Sequence, residues 1–352
     1  MEFLLDPDVT FLNHGSYGAC PEPVFARYQE LQRELERNPV EFLARRFDEL
    51  TAAARAALAT FVGARAEDLV FVPNATAGLN AVIRSLRLEP GDEVLTTRHE
   101  YGAVTRTWEF AGAKLVYAEP EELAVAIGPR TRAVSVSQIT SPTALVLPVE
   151  EICAAAREAG VLSIVDGAHV PGQLPLDLAR LGADVYAGNC HKWLCAPKGS
   201  AFLWARPEHQ GWIDPLVVSW GFDEGLVRRH GWQGTRDPAA ALSVRAAIEA
   251  HRSFDLERCR RLAASFHDRL PPVGPTPAPQ MWASEVDTPD PEALQRRLYD
   301  EHRIEVVVRE WEGRSLLRVS IAPYNDAGDV ERLLEALNGA LPRGYTPPPE
   351  RP

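Results

Sequence analysis

Lysine is scarce in this chain. Of 37 basic residues, only Lys114, Lys192 and Lys198 are lysine. Arginine keeps its proton inside proteins and cannot form an imine, so the few lysines are the places where a removable proton or a nucleophilic amine could be wanted. Long apolar runs are missing too. No stretch approaches the roughly 20 residues that cross a bilayer, so no membrane association is expected. Positive charge is in deficit, with a formal net charge of −12. Without a long basic run the chain is a poor candidate for nucleic acid. The opening MEFLLDPDVTFLNHG carries Glu2, Asp6 and Asp8 where a secretory signal would be basic. Cysteines number five, Cys20, Cys153, Cys190, Cys195 and Cys259. An odd count in a long chain without an export signal reads as reduced thiols in a cytoplasmic protein. Cys190, His191 and Cys195 lack C-x₂-C spacing and have no second ligand pair, so no metal is expected.

What is present is an alternation of strands and helices. Residues 22–62 read as helical, with Phe42, Leu43, Phe47, Leu50, Ala54, Leu58 and Phe61 near a 3.6-residue period. Strands are predicted over 69–73, 93–97, 114–118, 132–137, 161–166, 183–189 and 200–205, and helices over 75–86, 102–112 and 149–160. The strand segments are apolar throughout, as in a sheet covered on both faces. Residues 238–270 read as one or two long helices, followed by a proline-rich link over 271–279. Then come a strand near 280–286, a helix near 291–300, strands near 304–308 and 315–320, and a helix over 326–340. The expected fold class is α/β: a large three-layer α/β/α domain with a mostly parallel sheet, plus a small C-terminal α+β domain. The expected boundaries are an N-terminal arm over 1–21, the large domain over 22–250, the small domain over 251–341 and a disordered tail over 342–352.

Ligands of such sheets sit at the C-terminal strand ends, and three polar clusters fall there. Asn74-Ala75-Thr76-Ala77-Gly78 opens a helix, where free N–H groups can cradle a phosphate or Asn74 can simply cap. Asp166 ends an apolar strand, with His169 three residues on. It is either a capping residue or an acid kept ionised to hold a proton on a heterocyclic nitrogen. Lys192 follows a strand, between His191 and Trp193. It is either a surface residue or an imine-forming amine. Lys198, between Pro197 and Gly199, reads as a surface lysine in a turn. A phosphate nest, a strand-end acid and a reactive amine together specify pyridoxal phosphate.

The segments LNHGSYGACP (12–21), NATAGLNAV (74–82), RHEYGAV (98–104), SQITSPTALVLPVEEI (137–152), VDGAHVPGQLPLDL (165–178), GNCHKWLCAPKGSAFLW (188–204), GWQGTRD (231–237) and LLRVSIAPYN (316–325) go further. In order, they resemble the class V aminotransferase family of fold-type I pyridoxal-phosphate enzymes, in its isopenicillin N epimerase-like branch, related to cysteine desulfurases. The resemblance implies that Lys192 forms the Schiff base, Asp166 pairs with the pyridinium nitrogen and His169 lies near the phenolic oxygen. It implies that Tyr101 stacks on the ring and Gln138 lies near the ring oxygen. Ala75, Thr76, Asn189 and His191 would surround the phosphate, and Thr235 would reach the phosphate of a neighbouring subunit, which implies a homodimer with shared sites. Arg318 would take a substrate carboxylate, with an ion pair to Glu310 as the alternative. His14 and Ser16 belong to an N-terminal element expected to fold over the substrate, and Arg309 is a second anion contact or a surface residue.

The implied activity is chemistry at the α-carbon of an amino acid or its derivative, epimerase-like. A cysteine or cystine C–S lyase and an aminotransferase remain open alternatives, and a cofactor-bound scaffold or regulator without turnover is the alternative outside enzymes. Residues 300–317 contain no cysteine, which argues against sulfur handover through a persulfide.

Overall fold

A computed structural model describes residues 1–340; the expected tail over 342–352 lies outside them. The strands in chain order are β1 (Thr10–Phe11), β2 (Leu69–Val72), β3 (Glu93–Thr96), β4 (Lys114–Tyr117), β5 (Thr131–Ser137), β6 (Leu162–Asp166), β7 (Val185–Asn189), β8 (Ala201–Ala205), β9 (Met281–Glu285), β10 (Ile304–Glu305), β11 (Val307–Trp311) and β12 (Arg314–Ser320). Seven of them form one sheet in the order β2-β8-β7-β6-β5-β3-β4. Strands β7, β6, β5, β3 and β4 run parallel, and β8 runs against both its neighbours. Strands β6, β7 and β8 are buried along their whole length. Side chains alternate between faces, so Val134, Val165 and Tyr186 feed one core while Ala133, Ile164 and Val185 feed the other. Fully apolar strands follow directly from that two-sided cover.

A second sheet is antiparallel, in the order β11-β12-β9, and packs its own core around Trp282, Leu317 and Val319. The chain start packs beside it in a separate two-stranded sheet: β1 pairs in parallel with β10 through Thr10–Ile304 and Phe11–Glu305. No helix among the described residues is long and apolar enough to cross a membrane.

Several expected elements are divided. The helical region 22–62 becomes Glu22–Arg37, a wide π-type turn over Glu41–Arg46, and Phe47–Phe61. Asn38 precedes Pro39 and is extended, with φ −154° and ψ 86°, because a proline ring disfavours helical geometry in the residue before it. Residues 238–270 hold three helices rather than one or two long ones: Ala239–Leu242, Val244–His251 and Leu256–Ala264. Asp255 restarts the last, its carboxylate accepting from Arg258 N at 2.9 Å. The strand expected over 304–308 splits at Val306, because β10 pairs with β1 while β11 pairs with β12.

Candidate active site

A cavity of about 420 Å³ opens at the C-terminal ends of β5, β6 and β7, walled also by the residues after β2 and by the arm that follows β1. Another cleft, of about 910 Å³, lies at the opposite edge of the sheet beside Arg132, Leu162 and Asp184, where β5 and β6 begin and just before β7. The smaller cavity is the candidate site, because it gathers Lys192, Asp166, His169, Asn189, His191, Ala75, Thr76, Tyr101, Ser16 and Arg318 on one set of walls.

Lys192 lies on an irregular segment after β7. Its Nζ is 3.1 Å from His169 Nε2, and His169 Nδ1 accepts from Trp193 Nε1 at 3.4 Å. An indole N–H can only donate, so Nδ1 of the neutral imidazole is the acceptor and Nε2 carries the hydrogen. The lysine must then offer a lone pair, which makes it a neutral amine. Burial acts in the same direction: it pulls the ammonium down to about 7, helped by the Arg318 charge, opposed by Asp166 and helped again by Arg309. Burial likewise holds His169 well below the ordinary imidazole range, so it stays neutral.

The lysine segment is braced from the arm. Its backbone carbonyl accepts from His14 Nε2 at 3.0 Å, and Tyr324 O–H lies 3.0 Å from His14 Nδ1. Burial pulls His14 down to about 3, so it is a neutral strut between the two. Gly18, at φ +69°, lets the arm pass so close that a Cβ there would lie 1.9 Å from the His191 carbonyl oxygen. His14 does not line the cavity. The expectation of a substrate contact is corrected: both its nitrogens are committed to holding the arm against Lys192.

Asp166 closes β6, buried, and its Oδ1 accepts from Ala168 N at 2.8 Å. Desolvation raises its pKa, while the Ala168 N–H opposes the rise. At the expected phosphate nest the capping reading holds. Asn74 caps the helix by accepting from Ala77 N at 2.8 Å. Asn189 Oδ1 takes the Ala75 N–H at 2.8 Å, so Asn189 fixes the turn rather than pointing a free donor outward. The Thr76 N–H and hydroxyl remain for an anion. His191 Nδ1 faces the Ser200 carbonyl at 3.2 Å, and burial pulls its pKa down to about 4.

Arg318, on β12, is 3% exposed. Its Nη1 donates to the Ser141 carbonyl at 2.6 Å and its Nη2 to Ser16 Oγ at 3.1 Å. No carboxylate among the described residues pairs with it, so the alternative ion pair with Glu310 is not made. Burial and the Arg309 charge disfavour its positive form. A guanidinium nevertheless keeps its proton, and the result is a standing affinity for an anion. Arg309 lines the same cavity.

Two further expected contacts do not line this cavity. Gln138 is buried behind it, its Oε1 accepting from Tyr186 O–H at 2.8 Å. Thr235 is exposed on the loop over 232–238. Four polar side chains on the wall were not anticipated from sequence: Tyr17, Ser137, Ser141 and Lys198. Lys198 was read as a plain surface residue. It is exposed but reaches the rim, because β8 runs backwards and begins at this end of the sheet. Its position between Pro197 and Gly199 gave no signal of that reversal.

The residues fit pyridoxal phosphate. An amine poised as a neutral nucleophile, an acid at a strand end, an open helix N-terminus and an aromatic rim correspond to its aldehyde, ring nitrogen, phosphate and ring face.

Comparison with known proteins agrees with the geometry. Residues 12–271 match the aminotransferase class-V family. The isopenicillin N epimerase of Amycolatopsis lactamdurans is 37% identical over 95% of this chain and 95% of its own length. That of Streptomyces clavuligerus is 35% identical over 95% and 96%. A probable chloroplastic L-cysteine desulfhydrase of Arabidopsis thaliana is 28% identical over 97% and 84%. Among solved structures, a complex of the cystine C–S lyase C-DES with cysteine persulfide superposes with a TM-score of 0.83 at 25% identity, over 94% of this chain and 97% of that one. The architecture is that of the fold-type I enzymes, and the chain belongs to the aminotransferase class-V family.

Proposed function

We propose that this protein is a pyridoxal-phosphate enzyme that removes the α-proton of an amino acid and returns it, an epimerase-type reaction. One observation carries the reading: an amine held neutral by His169 shares a cavity with an unpaired, buried guanidinium at Arg318. Lys192 would hold the cofactor's aldehyde, Asp166 its ring nitrogen, Tyr101 a ring face, and Thr76 with His191 its phosphate. When bound, the cofactor supplies an electron sink that makes the substrate's α-hydrogen acidic.

The rest falls to the chain. Arg318 clamps the α-carboxylate in the two-pronged geometry that a planar guanidinium offers, steadied by Ser16 and Ser141. Arg309 offers a second anion contact at the same mouth. Lys192, displaced from the aldehyde, is the base on one side of the α-carbon. Epimerisation needs a proton from another direction. Of the wall residues, Tyr17 carries an exchangeable proton and faces both Arg318 and Arg309. It is therefore the chosen second donor.

C–S cleavage is the second reading, favoured by the desulfhydrase relatives. No cysteine lines the cavity among the described residues, so sulfur would leave to solvent rather than to an enzyme thiol. We also infer a homodimer in which Thr235, exposed and away from its own cavity, serves the partner's phosphate.

The test is incubation with L- and D-amino acids and cysteine derivatives in heavy water. Deuterium at the α-carbon together with inversion supports the proposal. Pyruvate and sulfide move the assignment to a lyase, and a keto acid moves it to an aminotransferase. A protein that forms no yellow chromophore with the cofactor, or one whose chromophore survives Lys192→Ala, sinks the reading altogether.

A further inference from the structure

Two arginines outside the active site, Arg55 and Arg236, face one pocket without a counter-charge. The pocket, of about 210 Å³, opens between the helix Phe47–Phe61, strand β2, the helix Leu226–Gly231 and the loop over 232–238. The first helix presents Phe47, Thr51 and Arg55 to it, spaced four residues apart and so on one face. The loop presents Arg236, and Phe71 and Val227 help to make the remaining wall apolar. Pro73 and Gly199 wall this pocket and the active-site cavity alike, so the two are neighbours.

The polar atoms here are left without partners. Arg55 Nε and Thr51 Oγ1 are buried and make no hydrogen bond. Neither guanidinium is paired with a carboxylate among the described residues. The acids that face Arg55 are Asp48 and Glu67, and both belong to other arginines: Asp48 pairs with Arg228 at 2.8 Å and Glu67 with Arg65. Asp237 shares the wall with Arg236, yet its Oδ1 accepts from Ala239 N and its Oδ2 from Gln32 Nε2, both at 2.8 Å. Burial disfavours the charged form of both arginines. A guanidinium keeps its proton all the same, so folding leaves two positive charges and an unsatisfied hydroxyl around one largely apolar hollow. Unpaired charge in such surroundings is costly, and low polarity strengthens its pull on any anion that enters.

We propose that this pocket is an anion site, separate from the active site, which takes a small oxyanion such as phosphate between Arg55 and Arg236. Two guanidinium forks offer paired N–H groups that match the oxygens of such an ion, and the Thr51 hydroxyl adds a further donor. A halide would meet the charge but not the forks.

The site does not depend on the reaction assigned to the active site, and the experiment keeps the two apart. Inorganic phosphate is titrated by calorimetry into holoenzyme freed of unbound cofactor, against chloride at matched ionic strength. Wild type is compared with Arg318→Leu, Arg55→Leu and Arg236→Leu. The expected result is saturable binding that persists in Arg318→Leu, whose lost guanidinium belongs to the active site, and weakens roughly 10-fold or more in Arg55→Leu and in Arg236→Leu. Thr51→Val removes only the hydroxyl and covers the case of a leucine variant that does not fold; it should weaken binding roughly 5-fold. Without phosphate the two pocket variants should melt at or above wild type, since each loses an unpaired charge, and added phosphate should raise the melting temperature of wild type more than theirs. Binding that disappears only in Arg318→Leu, or that is no tighter for phosphate than for chloride, overturns the proposal. So does a lower melting temperature in both pocket variants with no response of the wild type to phosphate, the mark of charges already paired between subunits.

Discussion

The ammonium of Lys192 opposes folding below neutral pH. Its pKa in the folded chain is about 7 against an ordinary 10.5, so between those values the unfolded chain binds the extra proton. Stability of the cofactor-free protein should rise with pH across that window, by about 1.4 kcal/mol for each unit spanned, and level off above it. Lys192→Met removes the group; it should melt higher than wild type at pH 7 and converge with it near pH 10.5 in cofactor-free samples. Arg318 gives the complementary case. Arg318→Leu removes an unpaired buried charge, so thermal stability should hold or improve, while kcat/KM for amino acids falls by roughly 100-fold, the ~3 kcal/mol of a charge-assisted pair. A large loss of stability together with activity would mean that the guanidinium is structural. At this scale the sequence was legible where chemistry and strand position coincided. Lys192, Asp166 and His169 could be picked out because each follows an unmistakable apolar strand. Ser141 could not, since it meets Arg318 only across 177 residues of chain. His14 was placed at the site but in the wrong role, because its partner is a backbone carbonyl 178 residues away, and backbone acceptors leave no mark in a sequence.

Elements were read well where the period was strong and misjudged where a single residue set the boundary. The seven apolar segments became the seven strands of the main sheet; burial on both faces leaves no other pattern for the inner ones, while β4 lies partly exposed at the edge. The breaks near Asn38 and Asp255 arose from one proline and one capping carboxylate, whose local effect outweighs helix propensity on either side. Asp255→Ala should therefore destabilise by about 1 kcal/mol, read by denaturant titration, without touching the cavity. Gly18 tests the arm. Alanine there is strained by the positive φ and collides with the His191 carbonyl, with no flexible side chain to give way. Gly18→Ala should push the arm off the Lys192 segment, lower the melting temperature and weaken retention of the cofactor in dialysis. Retention equal to wild type would show that the arm does not brace the lysine.

At the scale of the whole molecule, activity turns on whether the site is shared. If Thr235 serves the partner, Lys192→Ala and Thr235→Ala are complementary lesions. A mixed dimer regains one intact site, formed by the lysine of one chain and the threonine of the other. Unfolding and refolding the two variants together should restore activity toward about a quarter of wild type, the statistical yield of such sites. If both residues act within one chain, mixing restores nothing.

The arm has a further consequence for biosynthesis. Ser16 leaves the ribosome early, but the guanidinium it steadies is made 302 residues later, and the strand that anchors the arm, β10, comes only shortly before it. The main sheet, with Asp166 and Lys192, can assemble on a nascent chain that still has no carboxylate clamp. Vitamin loading can thus precede completion of the substrate pocket during translation, and a truncated product ending before β10 would carry the reactive amine with nothing to select what reaches it.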